Sequence, residues 1–205
     1  MTAVGFPAIL SEGDVLLRPY QRSDAAQWSA VRLFNERWLR PWEVTPAGGW
    51  AESNSTAAFR MVRRAFKAAA RTGESMPFAV CYQNRLVGHI GLGNIVRRAF
   101  SSAYCGYWID SRVAGHGIMP TALALIVDHA FYAGRLHRVE VNIRPENKAS
   151  RRVVEKLGFR EEGYHPHYMY IDGAWRDHVG YAMTWEDVSR EGGLLARWRR
   201  LRTNT

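Results

Sequence analysis

Ten consecutive residues carry the first sign of chemistry: Arg112-Val113-Ala114-Gly115-His116-Gly117-Ile118-Met119-Pro120-Thr121. Two glycines one residue apart leave backbone N–H groups bare and let a ligand approach the chain closely. The stretch falls between a strand-like run, residues 104–109, and an apolar helical run, residues 123–131. A helix starting there aims its positive end at the same spot, so the turn reads as an anion cradle. It contains no Walker lysine and no complete dinucleotide fingerprint. Glycine pairs also fill ordinary turns, so the loop alone says little. Its neighbours say more: a strand ends directly at the loop in Tyr107-Trp108-Ile109-Asp110, and Asn147, Ser150 and Leu157-Gly158-Phe159 follow at fixed spacing.

Residues 15–19 read as a first strand, and Ser23-Asp24 caps an amphipathic helix carrying Trp28, Val31 and Phe34. Residues 39–49, with two prolines, two glycines and Trp42, read as a structured loop. A second helix spans residues 53–71 and ends at Thr72-Gly73. Strands are predicted over residues 77–82, 86–96 and 100–109, after which Pro120 suits the first turn of a helix over 120–132. A strand over 138–143 and a helix over 148–157 with Gly158 as C-cap come next. Residues 168–171 and 178–183 form a hairpin around Asp172-Gly173, and residues 185–202 a basic terminal helix. The pattern is α+β: antiparallel strands, one β-loop-α-β-α crossover, then a hairpin.

At 205 residues, with 47% hydrophobic residues and 8 Trp, the chain is expected to bury one core as a single domain over residues 1–205. That core is placed at about residues 14–185, with a basic tail over 186–205. The first ten residues lack a signal-peptide pattern and no run reaches membrane-span length, which points to the cytoplasm. Cys81 and Cys105 lie in strand-like segments and are expected to be reduced core residues. The net charge of +9 favours an anionic partner: a nucleotide-like cofactor, nucleic acid or a ribonucleoprotein surface. The arginine clusters lack interleaved aromatics, so direct, sequence-specific nucleic-acid binding is not expected. No Cys/His set has zinc spacing, so no metal is expected, and His165-Pro166-His167 reads as an exposed turn. Asp177 and His178, beside Trp175 and Arg176, either line a cleft or staple the hairpin.

Arg112-x-x-Gly115-x-Gly117 with Asn147 and Leu157-Gly158-Phe159 resembles the GNAT superfamily of acetyl-CoA-dependent N-acetyltransferases. Within it, Pro41-Trp42-Glu43, Gly106-Tyr107-Trp108-Ile109, Pro145-Glu146-Asn147-x-x-Ser150, Leu157-Gly158-Phe159-x-x-Glu162-Gly163 and Trp175-Arg176-Asp177-His178 are similar to the RimJ/RimL group. That group acetylates the α-amino ends of ribosomal proteins. The resemblance covers residues 16–184 and implies the GNAT acyl-CoA N-acyltransferase fold: a mixed, mostly antiparallel central sheet flanked by helices, with splayed strands that bind CoA.

The resemblance further implies that the amides of Ala114, Gly115, His116, Gly117, Ile118 and Met119 bind the CoA pyrophosphate, with Arg112 as charge partner. Tyr107, Trp108 and Ile109 would pair their backbone with the pantetheine arm, and Asn147 would hydrogen-bond it. Asn142, Ser150 and Arg151 complete the implied donor-binding set. Asn147 can equally serve as a helix N-cap. Many family members carry a tyrosine as the acid that protonates the CoA thiolate, and here Val154 holds that place. Ser150 lies one turn earlier on the same face and would serve instead, unless it makes only local bonds.

Transfer to an amine also needs a base, because an α-amine with a pKa near 7.7–8.0 is mostly protonated at neutral pH. Glu43, in the loop that forms the acceptor wall of the family, and Glu74 are the candidates. The implied reaction is direct acetyl transfer from acetyl-CoA to a protein N-terminus, such as that of a ribosomal protein starting with Ala or Ser. Acceptors of another kind, a small amine, an antibiotic or a protein lysine, are the alternative. A non-catalytic CoA-sensing or ribosome-binding module is the reading from another class. Either a monomer or a homodimer is compatible with the sequence.

Overall fold

The computed structural model describes residues 4–203. One eight-stranded sheet organises it. An edge hairpin, β1 (Leu10–Glu12) and β2 (Val15–Arg18), leads into α1 (Ala25–Phe34) and the short helices α2 (Glu36–Leu39) and α3 (Trp50–Ser53). Then come α4 (Thr56–Thr72), β3 (Met76–Tyr82), β4 (Arg85–Val96) and β5 (Ser102–Ile109). The glycine loop opens α5 (Ile118–Tyr132), followed by β6 (Arg138–Ile143) and α6 (Lys148–Leu157). A long hairpin, β7 (Arg160–Ile171) and β8 (Ala174–Thr184), and two helices, α7 (Trp185–Val188) and α8 (Leu194–Thr203), complete the chain. The spatial order is β1-β2-β3-β4-β5-β6-β8-β7, and the β5/β6 pairing is parallel, as the crossover pattern predicts.

The sheet buries both faces. On one, Leu17, Phe78, Val80, Ile90, Leu92 and Val139 pack against α5, α6 and α8. The first ten residues of α5 are all buried, so it is apolar all round, as expected of a helix sunk in a core. On the other face Ala79, Cys81 and Leu86 meet Tyr20, Trp28 and Phe59, where α1 and α4 lie. Cys81 and Cys105 are buried free thiols.

Three elements depart from the expected boundaries. β1 is only three residues long, too short to show alternation. The final hairpin is far longer than residues 168–183, because most of β7 is exposed and polar and a bulge between His165 and Met169 interrupts its period. His165-Pro166-His167 lies in that bulge within β7, with Pro166 and His167 exposed as expected, instead of in a turn. The tail is two helices instead of one, broken at Gly192 and Gly193, whose φ values are +82° and +107°. A Cβ at Gly193 would lie 2.7 Å from the Asp128 carboxylate, which accepts from the amides of Leu194 and Leu195 and so caps α8.

Three of the four α8 arginines are engaged within the molecule: Arg197 and Arg200 pair with Glu191, and Arg199 pairs with Glu12. Trp198 is buried, and its indole N–H donates to Thr121 Oγ1 at 2.8 Å. Thr121 in turn donates to the carbonyl of Gly117, so α8 braces the glycine loop from behind. Trp198→Ala should therefore lower unfolding free energy by about 3–5 kcal/mol, the usual range for deleting a buried aromatic. Urea unfolding measures it, and a loss under about 1 kcal/mol would show that α8 is no part of the core.

Candidate active site

β5 and β6 pair only at their first three residues, Ser102–Tyr104 against Arg138–Glu140. Beyond that point β5 stays bonded to β4 and β6 to β8, so the two strands part and the sheet opens. Backbone groups on the inner edge of β5 are left facing the gap, where a peptide-like ligand could satisfy them. A cleft of about 610 Å³ opens there on the α5/α6 side, between β5, the glycine loop and the start of α6.

The loop is built to present amides. Gly115 and Gly117 sit at φ +87° and +76°, a region open to glycine, and a Cβ at Gly115 would meet nothing within 4 Å. The amides of Gly115, His116 and Gly117 donate to no backbone carbonyl among the described residues. A buried polar network holds the loop entrance. Asn35 donates to Asp110 Oδ1 at 3.0 Å and accepts from the Ser111 amide at 2.9 Å. Arg112 closes on the same carboxylate. Burial opposes ionisation of Asp110, but the hydrogen bonds from Arg112 and Asn35 outweigh it and hold the carboxyl below the usual range.

At the start of α6, Asn147 Oδ1 accepts from the Ser150 amide at 3.1 Å, a side-chain N-cap. Ser150 Oγ donates to the Tyr107 hydroxyl at 2.9 Å, and that hydroxyl donates to the Ser150 carbonyl at 3.3 Å. Burial pushes the Tyr107 phenol above its ordinary value. Val154, in the place of the family tyrosine, is fully buried. A hydroxyl pair bridging β5 and α6 thus stands where the strands part.

A second cavity, about 570 Å³, reaches the same point from the hairpin side. Trp42, Tyr107, Asn147 and Ser150 line both. The second cavity is walled by Tyr104, Asn142, Arg144, Tyr168 and His178. Arg144 lies 5.2 Å from the Trp42 ring and donates to the Pro41 carbonyl at 2.6 Å. The loop after Trp42 is sewn to the hairpin tip: Thr45 N–H donates to the Tyr170 carbonyl, and Gly173 N–H donates to Thr45 Oγ1.

The structure gathers most of the residues expected at the site and disperses others. Tyr107, Trp108, Ile109, Ala114, Gly115, Gly117, Ile118, Met119, Asn147 and Ser150 line the first cleft. Arg112 is turned toward Asp110 and the Phe34 ring, 4.4 Å away, and His116 is exposed with its ring against the loop's own carbonyls. Asn142 lies in the second cavity. Arg151 faces away and donates to the Tyr181 hydroxyl. Glu74 ends up just past α4, outside both cavities. Glu43 lines the first cleft, but both its oxygens accept from Arg32. That guanidinium is buried among the rings of Trp28, Trp50 and Trp108, at 5.0–5.5 Å.

Lys148, Arg152 and Lys156, outside the set implied by the resemblance, also line the cleft. Their i, i+4, i+8 spacing puts them on one helical face, a signal present in the sequence. Arg32, Asn35 and Arg144 carried no such signal, because their partners are remote in the chain.

The chain matches the family described as acetyltransferase (GNAT) domain over residues 14–160. The [ribosomal protein uS5]-alanine N-acetyltransferase of Escherichia coli is 33% identical over 181 residues, 87% of this chain and 91% of that protein. The Bacillus subtilis protein YjcK is 43% identical over 95 residues, and the chain spans only 52% of that protein. Among solved structures, Mycobacterium smegmatis RimJ in complex with CoA-disulfide superposes with a TM-score of 0.93 at 37% identity, covering 97% of this chain and 96% of that one. Vibrio fischeri ribosomal-protein-S5-alanine acetyltransferase gives 0.79 at 27% identity, over 88% and 98%. The chain belongs to the GNAT acetyltransferase family.

Proposed function

We propose that this enzyme transfers the acetyl group of acetyl-CoA to the N-terminal α-amine of a protein, a ribosomal protein beginning with Ala or Ser, by direct attack on the thioester. The observation that carries this is the meeting of two cavities at Tyr107, Asn147 and Ser150, through the gap between β5 and β6. One side suits a phosphorylated donor with a peptide-like arm: bare loop amides, the open β5 edge, and Lys148, Arg152 and Lys156. The other side suits a polypeptide end, since exposed Val44 and Tyr168 line it and offer apolar contact to a chain. The name of the Escherichia coli relative, a [ribosomal protein uS5]-alanine N-acetyltransferase, supports the same acceptor class. Such a reaction belongs in the cytoplasm, where ribosomal proteins are made.

In this reading Asn147 keeps its Oδ1 on the helix and offers its amide N–H₂ to the donor arm. Ser150 gives its hydroxyl hydrogen to the sulfur as the C–S bond breaks. Tyr107, whose hydroxyl accepts from Ser150 Oγ and donates to the Ser150 carbonyl, turns its O–H to Ser150 Oγ and resupplies that hydrogen. Positioned proton transfer of this kind contributes about 10²–10⁴-fold to rate.

Ser150→Ala should accordingly lower kcat by about 10²-fold or more while acetyl-CoA affinity, read by calorimetry, stays within a factor of a few. Unchanged kcat would remove Ser150 from the chemistry. The acceptor is tested separately, by thiol release from acetyl-CoA with peptides of ribosomal N-termini starting in Ala or Ser, compared with polyamines and aminoglycosides. The peptides should give the higher kcat/KM. Preference for the small amines would overturn the acceptor assignment, and CoA binding without thiol release would overturn catalysis.

A further inference from the structure

Among the described residues, no carboxylate lines the second cavity. Glu43 has both oxygens occupied by Arg32, and Glu74 lies outside either cavity. Glu146 stands on the donor side, exposed, where its own backbone amide and Arg144 hold its carboxyl below the usual range. The ionisable groups lining the second cavity are Tyr104, Cys105, Tyr107, Arg144, Tyr168 and His178. Phenols and thiols are protonated at neutral pH, and arginine always is. Burial raises the Cys105 thiol and the Tyr107 and Tyr168 phenols further, the last to about 12. One group remains.

His178 is 4% exposed, and its residue lines the cavity on the hairpin side. Its Nδ1 lies 3.0 Å from the carbonyl of Arg176. A carbonyl only accepts, so Nδ1 carries the hydrogen and Nε2 keeps its lone pair. Nε2 makes no hydrogen bond among the described residues. The backbone around it is fixed by its neighbour: Asp177 accepts from the Tyr164 hydroxyl at 2.5 Å and from the His167 amide at 2.8 Å. That pins the β7 bulge on the opposite side of the strand and turns residue 178 inward.

Resting on the acetyltransferase reading above, we propose that His178 is the general base that deprotonates the acceptor amine in the second cavity. The ammonium gives one proton to Nε2, which passes it to solvent. The nitrogen lone pair then forms the N–C bond to the acetyl carbonyl. The adduct collapses with cleavage of C–S, the bonding pair leaves on sulfur, and Ser150 supplies the sulfur's proton. The second proton shed by the nitrogen restores the Ser150–Tyr107 pair, so one proton leaves per turnover.

The surroundings keep the imidazole neutral and ready. Burial is the largest influence and disfavours the imidazolium, and the Arg176 carbonyl opposes it. The Arg144 guanidinium, beyond β6, and His165, on β7, push the same way as burial, while Asp177 pushes back. Tyr168 packs against the ring at 5.4 Å and bears no charge at neutral pH. The folded-state value therefore lies below the ordinary histidine value near 6.5, and the base form is present from below pH 6.5 upward.

The test is the pH dependence of kcat with a ribosomal N-terminal peptide. In the wild type kcat should fall on the acid side with one ionisation below about 6.5. His178→Gln should lower kcat at pH 7 by about 10²-fold or more, leave acetyl-CoA KM within a factor of a few, and lose that limb. Its rate should instead climb tenfold per pH unit until the free amine ionises near 7.7–8.0. His178→Ala should regain activity with added imidazole. A wild-type profile flat to pH 5, or governed only by the amine, overturns the proposal without any variant. So does a folded His178→Gln enzyme that keeps the wild-type kcat and limb. Failure of the wild type itself to acetylate any peptide would instead sink the acceptor reading, and the two failures are thereby distinguished.

Discussion

Everything at the centre of this molecule depends on two parallel strands that pair for three residues and then part. β5 and β6 start in register at Ser102 and Arg138 and diverge after Tyr104 and Glu140. An unpaired strand edge in a core is costly, so the divergence persists only because other contacts hold both sides. The Tyr107–Ser150 bond ties β5 to α6, and Arg144 ties the end of β6 to Pro41 and Trp42 across the gap. The opening lets two cavities meet through a sheet that would otherwise separate them. A donor and an acceptor can then approach one point from opposite faces.

The polar groups around this opening fall into two populations. Those that build walls are buried and paired. Arg32 sits among three tryptophans and grips Glu43, Asp110 is held by Asn35 and Arg112, and Asp128 caps α8. Removing one partner of such a pair strands a buried charge, which costs more than the pair contributes. The other population makes no such bonds among the described residues: the amides of Gly115, His116 and Gly117, and Nε2 of His178. Glu43 belongs to the first population, although its sequence context suggests the second. A carboxylate with both oxygens engaged by one guanidinium orients a wall better than it accepts a proton.

The sequence's basic character is distributed in the same way. Three tail arginines close ion pairs with Glu191 and Glu12, while the Asp128 cap and the Trp198–Thr121 bond dock α8 on α5. Their consequence is mechanical support: Trp198 holds Thr121, which holds the carbonyl of Gly117. The cations that do face the donor cleft, Lys148, Arg152 and Lys156, are spread over three turns of α6.

What the sequence determined by itself is whatever short-range physics encodes. The helices and the middle strands follow from hydrophobic period, the α4 and α6 ends from glycine C-caps, and the anion loop from two glycines ahead of an apolar helix. Asn147 and Ser150 are legible because they share one helical start. Tertiary structure decided the rest. Which way a long side chain turns depends on partners far along the chain: Arg112 toward Asp110 and Phe34, Arg151 toward Tyr181, Glu43 toward Arg32. The length of the final hairpin was hidden because its exposed strand needs no apolar period. His178 remained undecided between cleft and staple until the bulge at His165–His167 and the grip of Asp177 set its direction. Side-chain direction is a property of packing, and packing joins residues that the sequence keeps apart.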